Sequence, residues 1–279
     1  MNKGSPRNCL IPAALLLTIS VHAEAQMPEP DQADIAWITE GGFCETETVI
    51  ALPDGSLLVS NVCGFAEPGT GYLSQLESNG EVIDWRVVDN LDSPLGMVFR
   101  FGQLYVIDNN QVKIFRWPGF VPVSTIALNT AVANDLAVGP DDSIYVTDTA
   151  RGEVVVVGPD LEQDVLIEAA RFPGANGIHI DGDNLYVGGA QLWHVDLNDL
   201  AVTMIGPDWL ADIDGIEQEV DGTLQVTPVG GPLVRLTDPP QVLGGEGVGS
   251  ANHGYSESLG LALIPTGFDH QVIAIRVDR

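Results

Sequence analysis

Apolar residues along this chain come in short runs rather than in helical periods. "SLLVSN", "QLYVID", "SIYVTD" and "NLYVGG" each last six residues and end in Asn, Asp or Gly. Runs of that length, rich in Val, Ile, Leu and Tyr and bounded by turn formers, predict β-strands. No long window sustains the spacing of an amphipathic helix, so the pattern predicts an all-β chain.

The strands recur. Second strands of a repeat read "SLLVSN" (56–61), "QLYVIDN" (103–109), "SIYVTDT" (143–149), "NLYVGGA" (184–190), "TLQVTPV" (223–229) and "LALIPTG" (261–267). Each is followed by a third strand, from "GYLSQL" in the first copy to "HQVIAIRV" in the last. Five copies add a fourth: "EVIDWRVV", "VSTIAL", "DVLIEA", "AVTMIG" and "QVLGG". Counting back about ten residues from each second strand finds one position per repeat. These are Glu47, Leu95, Asn134, Asn176, Asp214 and Asn252, spaced by 48, 39, 42, 38 and 38 residues. A period near 40 with four strands per unit predicts a six-bladed β-propeller. The sixth copy reaches Arg279 without a fourth strand, while "DIAWIT" (34–39) is spare. That N-terminal strand is expected to complete blade six and close the ring, which protects edges that would otherwise pair with another chain.

Composition adds compartment and partners. The 31 Gly and 18 Pro suit many tight turns. Lys3 and Arg7, the apolar "CLIPAALLLTISV" and Ala23-Glu24-Ala25 read as a secretory signal cut after Ala25. The propeller is then expected over 26–279, in a periplasmic or secreted protein. The apolar stretch is too short for a membrane span, so no membrane association is expected after cleavage. Without residues 1–25 the chain keeps 9 Lys and Arg against 38 Asp and Glu, a net charge of −29. Such a field repels nucleic acid and attracts cations. Cys44 and Cys63 are the two cysteines left, and an oxidising compartment predicts a disulfide between them. Closing a loop of about 19 residues would stabilise by about 3 kcal/mol on the chain-entropy model. The pattern leaves the oligomeric state open.

The innermost strand of a propeller blade lines the central channel, and its first residues face one mouth. Five of the six recurring positions are polar: Glu47, Asn134, Asn176, Asp214 and Asn252; only Leu95 is apolar. Taken singly, Asn176-Gly177 and Asp214-Gly215 are ordinary turn formers. Taken together, two carboxylates and several amides converging on one axis make an oxygen-lined cavity suited to a hard divalent cation. Ca²⁺ comes first, with Mg²⁺ or Zn²⁺ as alternatives; no Cys or His pair reaches the position, which argues against a zinc site of soft ligands. His253 follows the sixth position and is a candidate proton acceptor. His179 and His194 read as structural strand residues and His270 as a turn residue.

Four motifs, "ETV" (47–49), "AND" (133–135), "ANGIHID" (175–181) and "DGIEQEVDGTLQV" (214–226), resemble the senescence-marker-protein/gluconolactonase/luciferin-regenerating-enzyme family; the diisopropylfluorophosphatase propellers are similar. The resemblance spans nearly all of 26–279 and rests on the order and spacing of short motifs. It implies that Glu47, Asn176 and Asp214 hold a divalent metal. It also implies that Asn134 contacts metal or substrate and that Asp214 acts as base or nucleophile. Asn252, at the equivalent place in blade six, joins Asn134 as a candidate substrate contact. Two departures bear on substrate. Val132 stands where sugar lactonases of the family often carry Arg, and Phe172, Pro173 and Gly174 replace a Lys common before the Asn-Gly pair. The expected substrate shifts from an acidic-sugar lactone toward a more apolar lactone or ester.

Three readings follow. The first is an exported metal-dependent hydrolase of the lactonase or esterase type acting on a small molecule. The second is a non-catalytic propeller that binds a protein, peptide or glycan through a rim patch, for which Trp117, Trp193 and Trp209 are candidates. The third is a Ca²⁺-stabilised scaffold without turnover.

Overall fold

The computed structural model describes residues 26–65, 67–167, 171–244 and 250–277; the expected secretory signal, 1–25, lies outside them. Two short N-terminal strands, β1 (Asp31–Gln32) and β2 (Ile35–Ile38), precede five four-stranded units and a last one of three strands. Blade one is β3 (Thr46–Ala51), β4 (Leu57–Asn61), β5 (Gly71–Leu76) and β6 (Val82–Leu91). Blade two is β7 (Pro94–Arg100), β8 (Gln103–Asp108), β9 (Gln111–Arg116) and β10 (Val121–Ala127). Blade three is β11 (Ala133–Val138), β12 (Ile144–Asp148), β13 (Glu153–Val157) and β14 (Gln163–Val165). Blade four is β15 (Ile178–Asp181), β16 (Asn184–Val187), β17 (Leu192–Asp196) and β18 (Val202–Ile205). Blade five is β19 (Ile213–Gln218), β20 (Leu224–Pro228), β21 (Leu233–Arg235) and β22 (Gln241–Gly244). Blade six has β23 (Gly254–Ser256), β24 (Leu261–Thr266) and β25 (Gln271–Arg276), with a single 3₁₀ turn at Glu257–Leu259. The chain is a six-bladed β-propeller, and no helix among the described residues is long and apolar enough to cross a membrane.

Period-two alternation explains why the second and third strands read as nearly unbroken apolar runs. Leu261 and Leu263 of β24 pack toward blade one, while Ala262 and Ile264 pack toward blade five. Val272 and Ala274 of β25 join the first group, and Ile273 and Ile275 the second. A strand buried on both faces needs apolar residues at every position. The core therefore consists of inter-blade seams, each drawn from two adjacent blades, rather than of one central cluster.

The N-terminal segment closes the ring as expected. β2 pairs antiparallel with β25, with Ile35 opposite Ile275 and Ile38 opposite Ile273. It does more than the sequence suggested: β1 pairs in parallel with β22, placing Asp31 opposite Leu243 in blade five. One segment thus staples two blades, and Trp37 Nε1 donates to Ser78 O (3.1 Å) in blade one. The disulfide Cys44–Cys63 is present and ties the approach to β3 to the turn after β4.

Deleting residues 26–39 removes both strands and leaves β25 and β22 with open edges. The expected outcome is a melting temperature lower by at least about 5 °C, with concentration-dependent association in ultracentrifugation. A deletion variant that melts and sediments like the full chain would contradict this role.

Candidate functional site at the channel mouth

A β-bulge breaks the alternation near the start of the innermost strand in four blades. The register shifts between Thr46 and Val49, between Pro94 and Met97, between Ala133 and Leu136, and between Ile213 and Gly215. The axial positions Glu47, Leu95, Asn134 and Asp214 lie within those shifts. A bulge adds one residue to one strand and turns its side chain out of the alternation.

Hydroxyls on the second strands stitch these bulges across blades. Thr48 N–H donates to Ser60 Oγ (2.9 Å), and Ser60 Oγ donates to Leu95 O (3.2 Å) of blade two. Asp135 N–H donates to Thr147 Oγ1 (3.0 Å), which donates to Asn176 O (2.6 Å) of blade four. Thr227 Oγ1 donates to Ala251 O (2.9 Å) of blade six. A carboxylate one residue further on clamps the incoming loop. Asp108 accepts from Asp92 and Ser93 N–H (2.8 and 2.7 Å), and Asp148 from Ala131 N–H (2.6 Å).

The Asn-Gly and Asp-Gly pairs are not turns. Gly177 immediately precedes β15, Gly215 lies within β19, and neither takes a positive φ. A Cβ on Gly177 would sit 1.8 Å from Asp214 O, and one on Gly215 2.4 Å from His253 Nδ1. Glycine is required because neighbouring inner strands nearly touch there, not because the backbone reverses.

Glu47 and Asp214 line a mouth cavity of about 170 Å³ together with Thr46, Ser250 and Ala251. Asp214 is buried and hydrogen-bonded to the Asn176 side chain. Burial pushes Asp214 up to about 7, and that Asn176 contact pulls it back. Burial, then the charges of Asp214 and Asp135, hold Glu47 well above the usual carboxylate range. Glu47 Oε2, Asn176 Oδ1 and Asp214 Oδ1 are buried without a hydrogen-bond partner. Asn134 is partly exposed and donates to Thr149 Oγ1 (3.2 Å).

Asn252 and His253 face a different space. They line an inner channel cavity of about 160 Å³ with Thr48, Asp135, His179 and Glu217. His253 is buried, its Nδ1 lies 3.0 Å from Thr227 Oγ1 and its Nε2 has no partner. Burial depresses it to about 3. Asp135 accepts from Leu136 and Ile178 N–H (2.8 and 3.1 Å), linking blades three and four, and burial raises it to about 7. Burial and then the Asp135 charge raise Glu217 to about 8, and His179 Nδ1 stands 3.9 Å from it.

Asp135, His179 and Glu217 are the channel residues that the sequence pattern passed over. A signal for two of them exists. Ile50, Val98, Ala137, His179 and Glu217 each lie three residues beyond an axial position, and all line the inner cavity. In blades one, two, three and five a bulge absorbs one residue, so an offset of three returns a side chain to the channel.

Among the described residues no group of three or more His, Cys, Asp and Glu side chains is arranged to hold a metal ion. The mouth set has two carboxylates, so a cation there would draw on Asn amides as well. Three unpartnered acceptor oxygens, two of them from carboxylates that burial disfavours as anions, fit a hard divalent ion.

No family profile matches the chain, and no curated protein matches it in sequence. Solved structures do. A streptogramin B lyase aligns with a TM-score of 0.62 at 11% identity, covering 87% of this chain and 98% of that one. A Bacteroides thetaiotaomicron protein of unknown function gives 0.65 at 12%, covering 88% and 74%. A structural-genomics target provisionally assigned as a gluconolactonase gives 0.63 at 16%, covering 90% and 94%. At these identities the likeness is one of fold.

The channel carboxylates set a pH dependence. Asp135 and Glu217 have folded values above those of the unfolded chain, so between about pH 4 and 8 the folded state holds protons that the unfolded state has lost. Their contribution is complete below the unfolded value and disappears as pH rises through 7 to 8. Asp135, 4% exposed, carries more of it than Glu217, whose side chain keeps 29% of its surface open. Chelator-treated protein is expected to melt at a lower temperature at about pH 8.5 than at about pH 5.5. A melting temperature that rises over that interval would contradict the assignment.

Proposed function

We propose that the chain is an exported hydrolase of the lactonase or esterase type. Its mouth site of Glu47, Asn134, Asn176 and Asp214 would hold a divalent cation, Ca²⁺ before Mg²⁺ or Zn²⁺. The observation that carries this reading is the trio of buried, unpartnered acceptor oxygens on Glu47, Asn176 and Asp214. A bound ion of this kind supplies Lewis-acid polarisation of a carbonyl oxygen. Asp214, on the cavity wall, serves as base or nucleophile. Asn134, at the partly exposed rim, orients the substrate. Asn252 and His253 line the inner cavity, where neutral His253 pairs with Thr227 of blade five, which leaves Asp214 as the stronger candidate for the base.

The similar folds named for a streptogramin B lyase and a gluconolactonase favour a small-molecule substrate. The Cys44–Cys63 disulfide favours an oxidising compartment, periplasmic or extracellular.

One observation favours the second reading, a non-catalytic propeller that binds a protein, peptide or glycan. Phe65, Val229 and Phe268 stand exposed at the mouth. The tryptophans proposed for such a patch lie elsewhere: Trp117 packs edge-on against Phe99, Trp193 against Phe172, and Trp209 against the seam between blades four and five.

Two measurements test the first reading. Elemental analysis of desalted protein is expected to find a retained divalent cation that the Asp214→Ala variant lacks. A panel of lactones, aryl esters and phosphotriesters is expected to find turnover that falls about 100-fold or more in Asp214→Ala and with chelator. Full activity in that variant would remove the mechanism, and ligand capture without turnover would establish the second reading.

A further inference from the structure

The mouth has two unlike halves. The turns joining second to third strands all open on the same face as the axial positions, because the start of each inner strand pairs with the end of its second strand. In blades two, three and four these turns carry Asn109 and Asn110, Thr149 and Arg151, and Gln191. In blades five, six and one, along with Asp269, His270 and Glu67 in the same turns, they carry Val229, Phe268 and Phe65, exposed by 54%, 91% and 70%. Side chains of that kind are costly in water unless something covers them. All three border the cavity that Glu47 and Asp214 line, with Val62 and Ala251 beneath them.

The apolar half is braced. Cys63 is tied to Cys44, and Gly64 N–H donates to the Glu45 carboxylate (2.6 Å). Thr70 Oγ1 donates to Cys63 O (3.0 Å), and Gly69 N–H to Asp92 (3.0 Å). Phe65 therefore directly follows an anchored pair, Cys63 and Gly64, which lowers the entropy lost when a ligand packs on it. The charged residues lining the cavity are Glu45, Glu47 and Asp214, all acidic. Among the described residues no cationic side chain lines the cavity to pair with an anionic ligand. Three rim side chains around a small cavity are also far short of the roughly 800 Å² per partner of a stable protein interface.

We propose that Phe65, Val229 and Phe268 form a subsite for the apolar chain of an uncharged substrate, so that the hydrolase, if the reading above holds, acts on lactones or esters bearing an alkyl or aryl tail. The reactive carbonyl lies toward Glu47 and Asp214 and the tail runs outward over blades five, six and one.

The test is a homologous series of γ-lactones from butyrolactone to decalactone, assayed on the full chain. The γ-lactams with the same tails, which resist hydrolysis, are titrated in parallel by calorimetry. Each added methylene is expected to raise kcat/KM and lactam affinity about three- to fourfold until the tail outgrows the subsite. The Phe65→Ser/Phe268→Ser double variant, altered only at largely solvent-exposed side chains, is expected to fold and to flatten both slopes. Steep lactam binding without lactone turnover would support the subsite and remove the hydrolase reading. Turnover with flat slopes in both assays would keep the hydrolase and overturn the subsite. So would slopes that survive the double substitution, or a preference for anionic lactones.

Discussion

Glu47, Asp135, Asp214 and Glu217 stand along one channel, and burial holds each above the range where a carboxylate normally ionises. Four acids in a low-dielectric space repel one another, and the pair of histidines beside them is held neutral by the same burial. The chain can keep this arrangement only by holding protons or by accepting an external positive charge. The inner pair and the mouth pair resolve that choice differently. Asp135 is satisfied by backbone amides from two blades, whereas Glu47 and Asp214 each retain an acceptor oxygen with no partner. The unmet demand therefore lies at the mouth.

Ring geometry produces this concentration of charge. Inner strands approach so closely that Gly177 and Gly215 have no room for a Cβ, which brings Asn176 beside Asp214 and His253 beside blade five. The bulges of blades one and five hold Glu47 and Asp214 at the mouth cavity, and Ser60, Thr147 and Thr227 lock the backbone near the strand starts to the next blade. The outer parts of the blades, by contrast, serve closure. The apolar seams and the N-terminal staple hold six sheets against one another so that the axial residues cannot drift apart.

Much of this was legible in the chain because a repeated fold repeats its signals. The period near 40, the second-strand runs and the spare "DIAWIT" were enough to place six blades and the closing strand. The Cys44–Cys63 pairing was expected from the cysteine count and the compartment that the N-terminal signal implies. What the pattern hid was local. Asn-Gly and Asp-Gly read as turns because those pairs usually are turns, and only the distance between adjacent strands distinguishes the two uses. His179 reads as an ordinary strand residue, and Glu217 is hidden because the blade-five bulge shifts the alternation by one. His253 and Asn252 share the repeat position of the mouth group, yet they open on the inner cavity, where the Asn252 side chain hydrogen-bonds Asp135.

The central claim is that the mouth carboxylates and the Asn176 amide await a cation. Anomalous diffraction from crystals soaked in Mn²⁺ tests it most directly. The account predicts a peak within about 2.6 Å of oxygens from Glu47, Asn176 and Asp214. A map with no peak at those three side chains, at saturating metal and neutral pH, would contradict it.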